Sequence, residues 1–138
     1  MLDKDKVGII NTGTSNLYSV QLACKEVGIE SIIINEAEGA NEFGGLILPG
    51  VGAFEQVMLD LKNKGLDKYI IKFIKTGKPV FGICLGFQLL FNYSEEFGIH
   101  KGLGVFNGKV KKISKSNDAK KEKVRKVPFI GWSRINKC

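Results

Sequence analysis

Apolar residues fall along the chain in short β-branched runs that alternate with stretches of helical period. Lys6 to Asn11 (KVGIIN) is an apolar run closed by Thr12-Gly13-Thr14-Ser15. It predicts a buried strand followed by a helix capped at Thr14 or Ser15. Leu17, Val20, Cys24 and Val27 recur at spacings of three and four, one face of an amphipathic helix that Gly28 closes. Cys24 lies on that face and reads as core packing. Ser31 to Asn35 (SIIIN) and Gly45 to Leu48 (GLIL) predict a second and a third strand, the third stopped by Pro49-Gly50-Val51-Gly52. Phe54 to Lys75 reads as one or two helices broken near Gly65, with Val57, Leu61, Ile70, Ile71 and Ile74 supplying apolar faces. Lys78-Pro79 ends this segment, Val80 to Ile83 predicts a fourth strand, and Leu85 to Phe91 a further helix.

Strands without polar alternation, separated by helices, predict an α/β fold: a mostly parallel sheet covered on both faces. Beyond Glu96 the texture changes. Gly98, Gly102, Gly104 and Gly108 punctuate short strand-like pieces, and Val110 to Ile113 and Val124 to Ile130 flank a polar loop as the arms of a hairpin. No internal repeat or linker interrupts the 138 residues, so 1–138 reads as a single domain.

Composition narrows the class. Hydrophobic residues make up 43% and charged residues 25%, the profile of a soluble globular protein. The opening MLDKDKVGIIN lacks the long apolar core of an export signal, and no apolar run is long enough to cross a bilayer, so no membrane role is expected. Cys24, Cys84 and Cys138 show no paired spacing, which fits a reducing cytoplasm. The net charge of +7 is local: Lys109 to Lys126 holds nine basic residues against Asp118 and Glu122, and the remainder is balanced. That segment contains no aromatic residue, so it reads as a solvated loop rather than a nucleic-acid face; a basic face toward a protein partner or an anionic substrate stays open. There is no metal-ligand cluster and no organic-cofactor fingerprint, so neither metal nor cofactor is expected.

One stretch carries chemistry. Val80 to Phe91 (VFGICLGFQLLF) passes from predicted strand to predicted helix through Gly82-Ile83-Cys84-Leu85-Gly86. This is the pattern of a nucleophile elbow with cysteine in place of serine. The nucleophile needs a sharp turn, and glycines two residues either side keep Cβ atoms out of the corner. Free N–H groups at the start of the following helix favour a thiolate and can hold an oxyanion. A second glycine-rich turn, Pro49-Gly50-Val51-Gly52, also follows a strand and can aim backbone N–H groups at a ligand. Each has a plainer reading, a buried cysteine and a tight turn; together at one sheet edge they favour acyl chemistry.

GICLGFQLLF resembles the nucleophile motif of class I glutamine amidotransferases. LPGVGAF, at Leu48 to Phe54, resembles the oxyanion loop of one branch, the glutaminase subunits of imidazole glycerol phosphate synthase in histidine biosynthesis. Asn16-Leu17-Tyr18-Ser19-Val20, Gly102-Leu103-Gly104 with Gly108-Lys109-Val110, and Val127-Pro128 with Gly131-Trp132 fit the same branch in the same order. The resemblance implies a flavodoxin-like fold. It implies that Cys84 attacks the side-chain amide of glutamine and forms a thioester. It implies backbone oxyanion donors at Leu85 and at Val51 or Gly52, and substrate binding by Gln88, Gly50 and Gly52. It further implies a heterodimer with a (β/α)₈-barrel synthase subunit that receives the ammonia, with Asn11, Asn16 and Pro128 to Trp132 turned toward that partner.

Two departures follow. The family's base and its orienter come from a His-x-Glu motif that does not occur in these 138 residues. The single histidine, His100, has Ile99 and Lys101 as neighbours, reads as a loop residue, and has no adjacent carboxylate to orient it. The chain therefore reads as an incomplete amidotransferase domain, expected to turn glutamine over slowly and to aggregate through apolar surface. Secondly, Pro128-Phe129-Ile130-Gly131-Trp132 stands where the family usually has Pro-His-x-Gly-Trp. This leaves two alternatives beside the histidine-pathway glutaminase: a paralogue feeding a synthase that amidates surface-polysaccharide sugars, and a non-catalytic amidotransferase-like binding module.

Overall fold

The structure, a computed structural model, describes residues 3–37, 43–113, 131, 132 and 134. Four strands form a parallel sheet: β1 (Asp3–Ile10), β2 (Glu30–Ile34), β3 (Phe43–Gly50) and β4 (Val80–Cys84), in the order β2-β1-β3-β4. Helix α1 (Leu17–Glu26) links β1 to β2, while α2 (Phe54–Asn63) and α3 (Leu66–Lys75) link β3 to β4. The two crossovers run in opposite directions from the middle of the sheet. Right-handed connections therefore put α1 on one face and α2 with α3 on the other. This is the doubly wound arrangement expected from the alternation of runs, with the strand order of flavodoxin-like folds.

The core lies mainly on the α2–α3 face. Ile10, Phe43, Leu46 and Leu48 of the sheet are buried against Phe54, Val57, Leu61, Leu66, Ile70 and Phe73. Val57, Leu61 and Ile70 were all expected inside; Ile71 and Ile74 are only partly buried, and Phe73 takes the deep position on α3. Gly65 breaks the segment as expected, at φ 67, and starts α3. The α1 face is thinner. Cys24 is the one buried residue of α1, and Val27, expected on the apolar face, caps the helix and is 70% exposed. The helix ends in a Schellman turn: Ile29 N–H donates to the Cys24 carbonyl at 2.8 Å and Gly28 N–H to that of Lys25 at 3.0 Å. At its start the cap is Asn16, not Thr14 or Ser15; Asn16 Oδ1 accepts from Ser19 N–H at 3.2 Å. The hydroxyls of Thr12 and Ser15 bond each other instead, and Thr14 reaches across to another loop.

The largest departure follows the elbow. The helix expected from Leu85 to Phe91 is a single turn, α4 (Leu85–Gln88), and Phe91 opens a strand, β5 (Phe91–Ser94). β5 is central in a small second sheet, antiparallel to β6 (His100–Lys101) and parallel to β7 (Phe106–Val110). The apolar run itself carries no period that distinguishes helix from strand. Tertiary partners decide it. The Leu89 carbonyl accepts from Leu103 N–H, and that of Leu90 from Val105 and Phe106 N–H, at 2.8–2.9 Å. Phe87, Phe91 and Phe106 pack as a cluster with ring centroids 5.4 to 6.2 Å apart. Lys109, first of the basic segment, donates to Glu95 Oε1 at 2.6 Å, and that hydrogen-bonded carboxylate raises the lysine pKa. The second arm of the expected hairpin, Val124 to Ile130, lies outside the described residues.

Candidate active site

β3 and β4 are paired to their last residues, with Gly50 opposite Cys84. The two glycine-rich turns picked out from the sequence therefore emerge side by side at the carboxyl edge of the sheet, where open α/β folds bind ligands. Cys84 is exposed and takes φ 53, ψ −118. A positive φ costs a non-glycine residue roughly 1–3 kcal/mol, so surrounding packing must enforce it. That packing is visible. A Cβ at Gly82 would lie 2.6 Å from the Phe87 Cα, and one at Gly86 would collide with the Leu48 carbonyl. A Cβ at Gly50 would lie 2.7 Å from the Gly86 nitrogen. The three glycines let β3, β4 and α4 interlock, and the interlock drives the chain round sharply at the thiol.

Leu85 and Gly86, buried, form the first turn of α4, whose opening N–H groups have no partner within the helix. One turn sums few peptide dipoles, so individual N–H groups, rather than the dipole of the longer Leu85 to Phe91 helix expected from the sequence, are what this end offers an anion. Gln88 lies one turn beyond the thiol, half-buried. Val51 and Gly52 are exposed in the loop after β3, and Gly52 has φ +94. Thr14 Oγ1 donates to the Val51 carbonyl at 2.6 Å, and Phe54 N–H donates to Glu96 Oε2 at 3.1 Å, fixing the loop at both ends.

His100 is corrected in its setting. It lies on β6, and a carboxylate does face it: Glu55 Oε1, from α2, is 3.4 Å from Nδ1. The other nitrogen, Nε2, faces the Phe97 carbonyl at 3.4 Å. Both ring nitrogens thus have partners other than the thiol. Asn11 donates to Asn35 Oδ1 at 2.8 Å and accepts from Gly13 N–H at 2.9 Å, so it and Asn16 brace the loop before α1. Trp132 is exposed, while Pro128, Phe129 and Ile130 lie outside the described residues, as does Cys138. Among the described residues no three His, Cys, Asp or Glu side chains gather as metal ligands would.

A cysteine at a strained strand-to-helix corner, beside a second glycine loop, is the geometry of acyl transfer through a thiolate. The family model of the CobB/CobQ-like glutamine amidotransferase domain matches residues 8–127. The chain belongs to this glutamine amidotransferase family. Among the relatives of this amidotransferase domain is the imidazole glycerol phosphate synthase subunit HisH of Sulfurimonas denitrificans. It is 43% identical over 129 residues, which cover 94% of this chain and 61% of that one. The HisH subunit of Prochlorococcus marinus is 43% identical over 132 residues, 96% of this chain and 60% of that one. The amidotransferase chain thus spans about three fifths of the length of these curated relatives. Its fold is shared with a crystal structure of a glutamine amidotransferase, TM-score 0.65 at 24% identity, over 76% of this chain and 55% of that one. It is shared also with a putative peptidase E protein from Listeria monocytogenes, TM-score 0.57 at 18% identity, over 77% and 65% of the two chains.

Proposed function

We propose that this chain carries the nucleophilic half of a glutaminase that supplies ammonia to the synthase forming imidazole glycerol phosphate in histidine biosynthesis. The observation that carries the reading is the strained, exposed Cys84 at the end of β4, directly beside Gly50. Its thiolate sulfur adds to the side-chain amide carbon of glutamine, and the negative charge moves to the carbonyl oxygen. Leu85 N–H and an N–H of Val51 or Gly52 receive that oxygen. Collapse breaks the C–N bond, the leaving nitrogen takes from solvent the proton that the thiol gave up and departs as ammonia, and a γ-glutamyl thioester remains; water then releases glutamate and the thiol. Gln88, Gly50 and Gly52 line the substrate's place. The ammonia passes to a (β/α)₈-barrel synthase subunit in a cytoplasmic heterodimer; the similarity to HisH subunits over nearly the whole chain supports this partner.

The chain's one histidine, His100, has both ring nitrogens facing partners other than Cys84, so the 138-residue chain is expected to form the thioester slowly and to turn over poorly by itself. The chemistry of the thiol is nevertheless testable. A glutamine-derived chloromethyl ketone should alkylate Cys84 in preference to Cys24 and Cys138, as read by peptide mass spectrometry. Glutamine should protect, and Cys84→Ser should abolish the preferred adduct. Equal modification of all three cysteines would overturn the reading and favour an inert binding module.

A further inference from the structure

The loop that follows β3 is steered by a residue from another loop. Thr14 stands between β1 and α1, Val51 after β3, and since β1 and β3 are neighbours both loops leave the same sheet edge. Thr14 Oγ1 donates to the Val51 carbonyl at 2.6 Å across 37 residues of chain. A peptide group is planar and trans, so turning that carbonyl onto Thr14 sends the Gly52 N–H the opposite way. Gly52 has φ +94, and a Cβ built on it would have Thr14 Oγ1 as its one neighbour within 4 Å, at 3.9 Å, so the Thr14 side chain lies over this glycine. The donor itself sits on a braced support: Asn11 bonds Asn35 and Gly13, and buried Thr12 bonds Ser15.

We infer that Thr14 is a positioning residue whose hydroxyl holds the Val51–Gly52 peptide so that the Gly52 N–H meets the oxyanion formed when Cys84 attacks a carbonyl. This rests on the glutaminase reading of Cys84. Thr14 touches neither thiol nor substrate; it acts through the loop. Removing its hydroxyl leaves the peptide free to populate other orientations, a shift of the size one ordinary hydrogen bond produces.

Two alkylating agents separate this role from a structural one. With the chloromethyl ketone the thiolate adds to the carbonyl and makes an alkoxide before sulfur displaces chloride, so oxyanion donors matter. With iodoacetamide sulfur displaces iodide directly and no oxyanion forms. In the full chain, Thr14→Val should slow chloromethyl ketone alkylation of Cys84 by about five- to tenfold while leaving the iodoacetamide rate as it was. Thr14→Ser, which keeps the hydroxyl, should restore the faster rate. Unchanged chloromethyl ketone kinetics in Thr14→Val, or an equal fall with both reagents, overturns the role of Thr14. Lack of preferred alkylation at Cys84 in the unaltered chain overturns the glutaminase reading, and the Thr14 role with it.

Discussion

Cys84 and His100 illustrate what one residue's neighbours in sequence reveal. The thiol is legible because its requirements are local: glycines at 82 and 86 are two positions away, and the clash of a Cβ with Phe87 or Leu48 explains both. His100 is the opposite case. Ile99 and Lys101 say nothing of Glu55, which lies 45 positions earlier in α2 and approaches Nδ1 to 3.4 Å. A His–carboxylate pair invites the idea of a base, but Nε2 is turned to the Phe97 carbonyl. His100→Ala is therefore expected to leave both the rate and the pH dependence of Cys84 alkylation unaltered. A fall of about tenfold or more, the contribution a positioned general base makes at the least, would assign His100 that part.

At the scale of elements, the strands and long helices follow from period and punctuation, and Gly65 divides α2 from α3 where the pattern weakens. The segment after the elbow does not. Its apolar residues suit helix and strand equally, and pairing of Phe91 with Phe106 selects the strand after one helical turn. The shortness of α4 concentrates the design of the elbow on close backbone approach rather than on a helix dipole. Gly86→Ala is then the most damaging small change there, because its Cβ would meet the Leu48 carbonyl of β3. Overpacking of this kind should lower stability by roughly 3 kcal/mol, read from the denaturant midpoint. An alanine tolerated without loss would mean that β3 and α4 do not interlock.

Across the whole molecule, sheet order gives each strand its exposure. β4 reads from its sequence as a buried strand, yet it is an edge among the described residues, and Phe81 on it is 64% exposed. Exposed edges with apolar side chains invite pairing with other chains. Phe81→Lys should reduce self-association of the 138-residue chain in sedimentation velocity without altering its far-UV circular dichroism. Unchanged association would place the adhesive surface elsewhere, for example at the exposed Trp132.

The sequence by itself determined the α/β alternation, the two glycine turns and the cysteine proposed as nucleophile, because these depend on residues a few positions apart. Only the tertiary structure decided that Gly50 lies opposite Cys84, that α4 stops after one turn, that Asn16 caps α1, that Glu55 faces His100, and that Thr14 holds the Val51 carbonyl. Most of these are meetings between residues far apart in the chain. Those meetings follow from strand order and register, which no local period encodes.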